Sequence, residues 1–176
     1  MPFVSEVEET QAGAPLRELY GKIDQNFGFV PHYFKALGAM PDVIDAQLRL
    51  NPAIMNDGAL TKIVKEQIGV VVSGINSSMY CVSIHMELLR RFGIEKNLAR
   101  RLSTDYQNAP VEEKVKALFR FADKLTTRPM DVQESDIEAL KKAGWDDAAV
   151  RETVLTVAFF NYINRVSLGL GLVEEF

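Results

Sequence analysis

The sequence predicts an all-α chain, and three observations carry that reading. Apolar residues recur at helical spacing along most of the length, no stretch alternates as a strand does, and Pro, Gly and Asn fall where helices start and stop. A length of 176 residues gives room for one domain with a real hydrophobic core. Hydrophobic residues are 47% and charged residues 25% of the chain, a balance that argues against disorder and collagen-like structure.

Taken in order, Pro15 opens a first helix to about Asp24, and Asn26-Phe27-Gly28 ends it. Pro31 and Pro41 punctuate two short segments, 31–38 and 42–52, each with proline in the first turn. Asn56-Asp57-Gly58 reads as a turn, and Thr61 begins a strong helix reaching Ile75. Its middle, Ile68-Gly69-Val70-Val71-Val72, is apolar nearly all round, which predicts burial rather than a surface position. Asn76-Ser77-Ser78 interrupts it with residues that prefer helix N-caps. The next helix runs from about Ser78 to Phe92: Arg90 and Arg91 suit its negative end, Gly93 the left-handed position beyond it, and Ile94 the apolar contact after that. A short helix over 95–103 follows.

Asn108-Ala109-Pro110 marks a boundary between a unit at 55–103 and a second helical unit at 108–172, within a single domain over 1–176. Pro110, Glu112 and Glu113 start a helix to Thr127 with Val115, Leu118, Phe119, Ala122 and Leu125 on one stripe. Positions 133–143 form another, stopped by Gly144, and Asp146 caps a long last helix whose centre, 154–160, is again strongly apolar. The halves echo each other weakly. Each has an apolar helix with an early glutamate, Glu66 or Glu152, and late asparagines, Asn76 or Asn161 and Asn164. Two such buried helices in so short a chain imply neighbours from another subunit, so a homo-oligomer is expected.

The net charge of −4 argues against a nucleic-acid partner. The apolar runs 68–72 and 154–160 fall far short of the ~20 residues a bilayer span needs, so no membrane partner is expected. The acidic N-terminus lacks a secretory pattern, and a lone cysteine builds no disulfide framework; both point to the cytoplasm.

That cysteine is the centre of the chemistry. Cys81 falls in the first turn of its helix, where free backbone N–H groups and the helix dipole favour a thiolate. His85 lies four residues on, one turn along the same face. An imidazole there can take the thiol proton, and Glu66 on the preceding buried helix is the natural acid to orient it. Plainer readings stand beside this: Cys81 as a small core hydrophobe, His85 as a hydrogen-bonded structural residue, Glu66 on the wet side of its helix. Three mixed ligands could also hold a metal, but no further ligand-rich spacing appears, so neither metal nor cofactor is expected. His32, beside Pro31, reads as a loop or surface residue. Asn161 and Asn164 should hydrogen-bond across helix pairs, with Arg165 paired to an acid such as Glu152, Glu174 or Glu175. Met79 and Tyr80 should pack or line a pocket mouth.

Glu66, eleven residues, then Ser78-x-x-Cys81-x-x-x-His85 resembles the Glu-x11-Cys-x-x-Cys-x3-His signature of the alkylhydroperoxidase D / carboxymuconolactone decarboxylase family. Val72-Ser73-Gly74-Ile75-Asn76 ahead of it, and Ala143-Gly144-Trp145-Asp146-Asp147 and Phe160-Asn161-Tyr162-Ile163-Asn164-Arg165 downstream, are similar to the peroxidase-related branch. The resemblance covers positions 15–172 or so. It implies a helical alkylhydroperoxidase D-like fold, trimers or hexamers, and hydroperoxide or other small-molecule substrates, with Glu66 and His85 relaying protons and Cys81 matching the second cysteine. Ser78 stands where the family has its first cysteine, and a serine forms no disulfide. Three functions remain open: a one-cysteine peroxidase restored by an external thiol, a lyase or isomerase using His85 as acid/base, or a non-catalytic oligomeric binding protein.

Overall fold

The computed structural model describes residues 2–175, and among them the regular structure is entirely helical. In chain order the helices are α1 (Ala14–Phe27), α2 (His32–Ala36), α3 (Pro41–Met55), α4 (Lys62–Ile75), α5 (Met79–Arg91), α6 (Lys96–Asp105), α7 (Glu113–Thr127), α8 (Glu134–Lys142) and α9 (Asp147–Gly169), with single 3-10 turns at Glu9–Gln11, Tyr106–Asn108 and Pro129–Asp131. Helix α3 runs past the expected end, continuing through Pro52, which lacks the N–H that would bond the Leu48 carbonyl, to Met55.

The ends are made by the residues that announced them. Thr61 Oγ1 accepts from the Val64 N–H at 3.4 Å, and Asp146 Oδ1 from the Ala149 N–H at 2.8 Å. Gly93 takes φ 81°, and the Ile94 N–H reaches back to the Leu89 carbonyl at 3.0 Å, closing α5 as the Arg-Arg-Phe-Gly-Ile run predicts.

Helix α4 is the axis of the fold. Every residue from Lys65 to Ser73 is buried, and α5, α6, α7 and α9 all pack on it. Two glycines allow the close approach: a Cβ on Gly69 would overlap the Phe160 ring of α9, and one on Gly74 the Ser103 backbone of α6. The main core draws Val70, Phe119, Leu102, Leu140 and Phe160 from both sides of the 108–110 boundary. A second core joins α1 to Val30 and Ile44 of α3, and a third gathers Tyr33, Tyr80, Cys81 and Ile84. Helix α9 differs from expectation. It buries one face and leaves Leu155 at 52% and Tyr162 at 43% exposure on the other, so it is not covered all round.

Candidate active site

Helix α4 ends with Ser77 in the left-handed region at φ 55°, its N–H bonded to the Gly74 carbonyl at 3.0 Å and the Ser78 N–H to the Ser73 carbonyl at 2.9 Å. This is a helix-terminating motif with serine where glycine is usual, and it folds α5 straight back along α4. Ser78 is thus the last residue of one motif and the N-cap of the next helix. Its side chain caps nothing, however: Oγ is buried without a hydrogen-bond partner, at 1% residue exposure. The capping role expected of these polar residues is therefore played by backbone rather than by the Ser78 hydroxyl.

The fold-back brings Glu66 and His85 together. Glu66 Oε2 lies 2.6 Å from His85 Nδ1, and the Glu66 side chain is only 4% exposed. A carboxylate on Nδ1 favours the Nδ1–H tautomer and leaves Nε2 as the free basic atom of the ring. Phe160 meets the imidazole edge-on with ring centroids 4.6 Å apart, fixing its plane. Glu66 is therefore on the buried side of α4, and His85 is held by it.

Cys81 is 2% exposed and lines the same cavity as this pair, a space of about 340 Å³ between α2 and α3 on one side and α4, α5 and α9 on the other. Its walls are mostly apolar, with Phe27, Phe34, Leu88, Phe159 and Ile163 among them. Size and lining suit a small organic molecule. The sulfur's hydrogen-bond partner is Ser167 Oγ, at 3.4 Å, rather than the imidazole. Ser78 does not line this cavity; it lines a second one beyond the start of α5.

Two polar features around the site were not read from the sequence. Gln47 of α3 donates Nε2 to the Tyr33 hydroxyl at 2.7 Å, and its buried Oε1 has no partner. Ser167 is the other; it lies three residues past Asn164 and hence on the same inward face, a spacing that could have found it. Burial pushes the Tyr33 hydroxyl's pKa up, and Tyr80's rises further, first from burial and then from the Glu175 carboxylate it donates to at 2.9 Å. Both phenols stay neutral.

Asn76 Nδ2 donates to Asn161 Oδ1 at 3.0 Å and to Asn164 Oδ1 at 2.9 Å, and Asn164 Nδ2 to Ser73 Oγ at 3.0 Å, the predicted cross-helix network. Arg165 does not pair with an acid. It is exposed and donates to Asn161 within its own helix, and two of the acids offered as partners are engaged elsewhere: Glu152 with Lys65, Glu175 with Tyr80 and His32. His32 is not a free loop residue: it opens α2, with Nδ1 2.9 Å from Glu6 Oε1. Glu66 and Glu152 also differ, one buried on a histidine and the other clamping a loop, so the echo between the halves does not extend to their surroundings. Among the described residues no group of three or more His, Cys, Asp and Glu side chains is arranged to hold a metal.

A family model for the carboxymuconolactone decarboxylase family matches residues 41–123, the stretch that carries Glu66, Ser78, Cys81 and His85. A peroxidase-related protein from Ralstonia eutropha JMP134, described as an alkylhydroperoxidase core and uncharacterised, is 28% identical and superposes with a TM-score of 0.91 over 99% of this chain and 92% of its own. Both matches agree with the resemblance to the alkylhydroperoxidase D / carboxymuconolactone decarboxylase family that the Glu66, Cys81 and His85 spacing carries. A second uncharacterised peroxidase-related family protein, from Silicibacter sp. TM1040, is 25% identical with a TM-score of 0.86 over 96% of this chain and 91% of its own. A debrominase solved as a cysteine-to-alanine variant with 2,3,4-tribromopyrrole shares the fold at 21% identity and a TM-score of 0.83, over 98% of this chain and 91% of its own. No protein of curated function matches the chain. No helix among the described residues is long and apolar enough to cross a membrane.

Proposed function

We propose that the protein is a one-cysteine thiol peroxidase acting on small organic hydroperoxides, with Cys81 as nucleophile and the Glu66–His85 pair as its proton relay. The carrying observation is that a lone buried sulfur and a carboxylate-oriented imidazole line one largely apolar cavity of about 340 Å³. Such a cavity favours an apolar substrate body and excludes most water from the reacting atoms. His85 Nε2 takes the Cys81 proton. The thiolate attacks the outer peroxide oxygen, the O–O bond breaks, and the departing alkoxide takes the proton back from the imidazolium, leaving an alcohol and a Cys81 sulfenic acid. Glu66 stabilises the imidazolium that exists between the two transfers. With serine at 78 the sulfenic acid has no internal thiol to meet, so an external thiol restores Cys81.

The test is peroxide treatment of the whole protein with a sulfenate-specific trap. The wild type becomes labelled at Cys81. His85→Ala slows labelling by roughly 10²–10⁴-fold, the usual worth of general acid–base catalysis. Labelling unaffected by His85→Ala would defeat the reading.

One observation favours a second reading. The Cys81 thiol is hydrogen-bonded to Ser167, not to His85, so the Glu66–His85 pair is complete without it. On that reading His85 is the acid/base of a lyase or isomerase, and turnover of its substrate survives Cys81→Ala but not His85→Ala.

A further inference from the structure

Cys81 stands between two cavities. The second, of about 330 Å³, has Ser77, Ser78 and Met79 on one wall and Ser167, Leu172 and Val173 on the other. Cys81 lines the first cavity and not the second; Ser167, whose Oγ is 3.4 Å from the sulfur, lines the second and not the first. One hydroxyl therefore separates the sulfur from the second space. Ser78, one helical turn before Cys81, lines it too, with its buried Oγ unpartnered.

Displacement at sulfur is in-line: the incoming atom, the sulfur and the departing atom share an axis. On the peroxidase reading, on which this inference rests, the hydroperoxide reacts from the main cavity, so the S–O bond of the sulfenic acid projects there. The restoring thiol must then arrive from outside the main cavity, and the group on the sulfur that lies outside that cavity is Ser167, which lines the second. We propose that the second cavity is the docking site of that reductant, and that the reductant is a low-molecular-weight thiol with an apolar body. Its size is at the lower end of small-molecule sites and leaves no room for a folded domain. Met79, Leu168, Leu172 and Val173 supply the apolar contact, and the opening turn of α5 favours the thiolate over the thiol. The bound thiolate attacks Cys81 sulfur, an S–S bond forms, and the S–O bond breaks. Hydroxide leaves into the main cavity and is protonated to water. A second thiol then attacks the mixed disulfide, frees Cys81 and carries off a small disulfide.

Timing the two half-reactions separately tests this. Whole protein is oxidised with cumene hydroperoxide, the sulfenate is followed by trapping and mass spectrometry, and 2-mercaptoethanol serves as reductant. Leu168→Trp and Val173→Trp each fill the cavity from an exposed position, at 46% and 44%, on different segments, so that folding of at least one is secure. Reduction relative to sulfenate formation should fall at least about tenfold in these variants. Reduction at the wild-type ratio in a folded variant, or a wild-type sulfenate reduced only by a protein dithiol, overturns the docking site alone. A wild type that forms no sulfenate overturns the peroxidase reading and this inference with it.

Discussion

Ser78 is the residue at which this chain departs from the signature it resembles, and its surroundings say what the departure costs. Its Oγ makes no hydrogen bond and is buried, so a sulfur in its place would sacrifice no partner. As N-cap it stands three residues before Cys81 on adjoining turns, a separation of about 5–6 Å between Cβ atoms that small rotations bring within disulfide range. Ser78→Cys is accordingly expected to lose both thiols to an internal disulfide after peroxide treatment, where the wild type, with its one cysteine, loses thiol titre to sulfenic acid instead. Thiol titration with intact-mass measurement checks this. Two thiols persisting through oxidation would show that the first turn of α5 holds the two side chains apart.

At the scale of elements, α4 was legible because its apolar run left no wet face, and α5 because Arg90-Arg91-Phe92-Gly93-Ile94 spells a helix end. The Glu66–His85 contact was legible for the same reason: a carboxylate on an all-buried helix needs a partner, and the turn at 76–78 returns the chain alongside. What pattern could not supply was choice among partners. Cys81 meets Ser167 from a helix far along the chain, and Glu152 meets Lys65 and the N–H groups of Ala59 and Leu60, at 3.0 and 2.9 Å, rather than Arg165. Burial raises the Glu152 pKa, but those backbone donors and the Lys65 ammonium outweigh it and hold the carboxyl below its ordinary value. A depressed carboxyl pKa contributes stability that is complete above the unfolded value and is lost as pH falls through the folded one. Glu152→Gln should cost about 1.5–3 kcal/mol near neutral pH, and the gap from wild type should narrow at acid pH, below the ordinary carboxyl range, in urea unfolding curves. A gap of the same size at both pH values would mean that the clamp does not depend on charge. Gly69 gives the matching prediction for the α4–α9 crossing. Alanine there ordinarily stabilises a helix, yet its Cβ would displace Phe160, which carries the His85 ring on its edge. Gly69→Ala should lose about 1–3 kcal/mol by thermal unfolding and slow peroxide-dependent labelling of Cys81; a raised melting temperature would refute it.

For the whole molecule, the unfinished surface is the outer face of α9. Leu155, Ala158 and Tyr162 recur at helical spacing and stay exposed, although the opposite face of the same helix is buried in the core. A stripe of that kind is costly to leave in water and points to a contact. The sequence already called for neighbours from another subunit, and a face on a single long helix can meet its own copy by symmetry without any second complementary surface. The expected state is therefore a homo-oligomer joined along α9, with the cavity walls contributed by Phe159, Phe160 and Ile163 backed by that contact. Leu155→Arg should convert it to a chain of 19.7 kDa in sedimentation velocity while leaving the helical circular dichroism unchanged. Weaker backing of Phe160 should then loosen His85, so labelling of Cys81 by peroxide slows in the dissociated variant. A wild type that sediments as one chain at micromolar concentration would remove the basis for both effects.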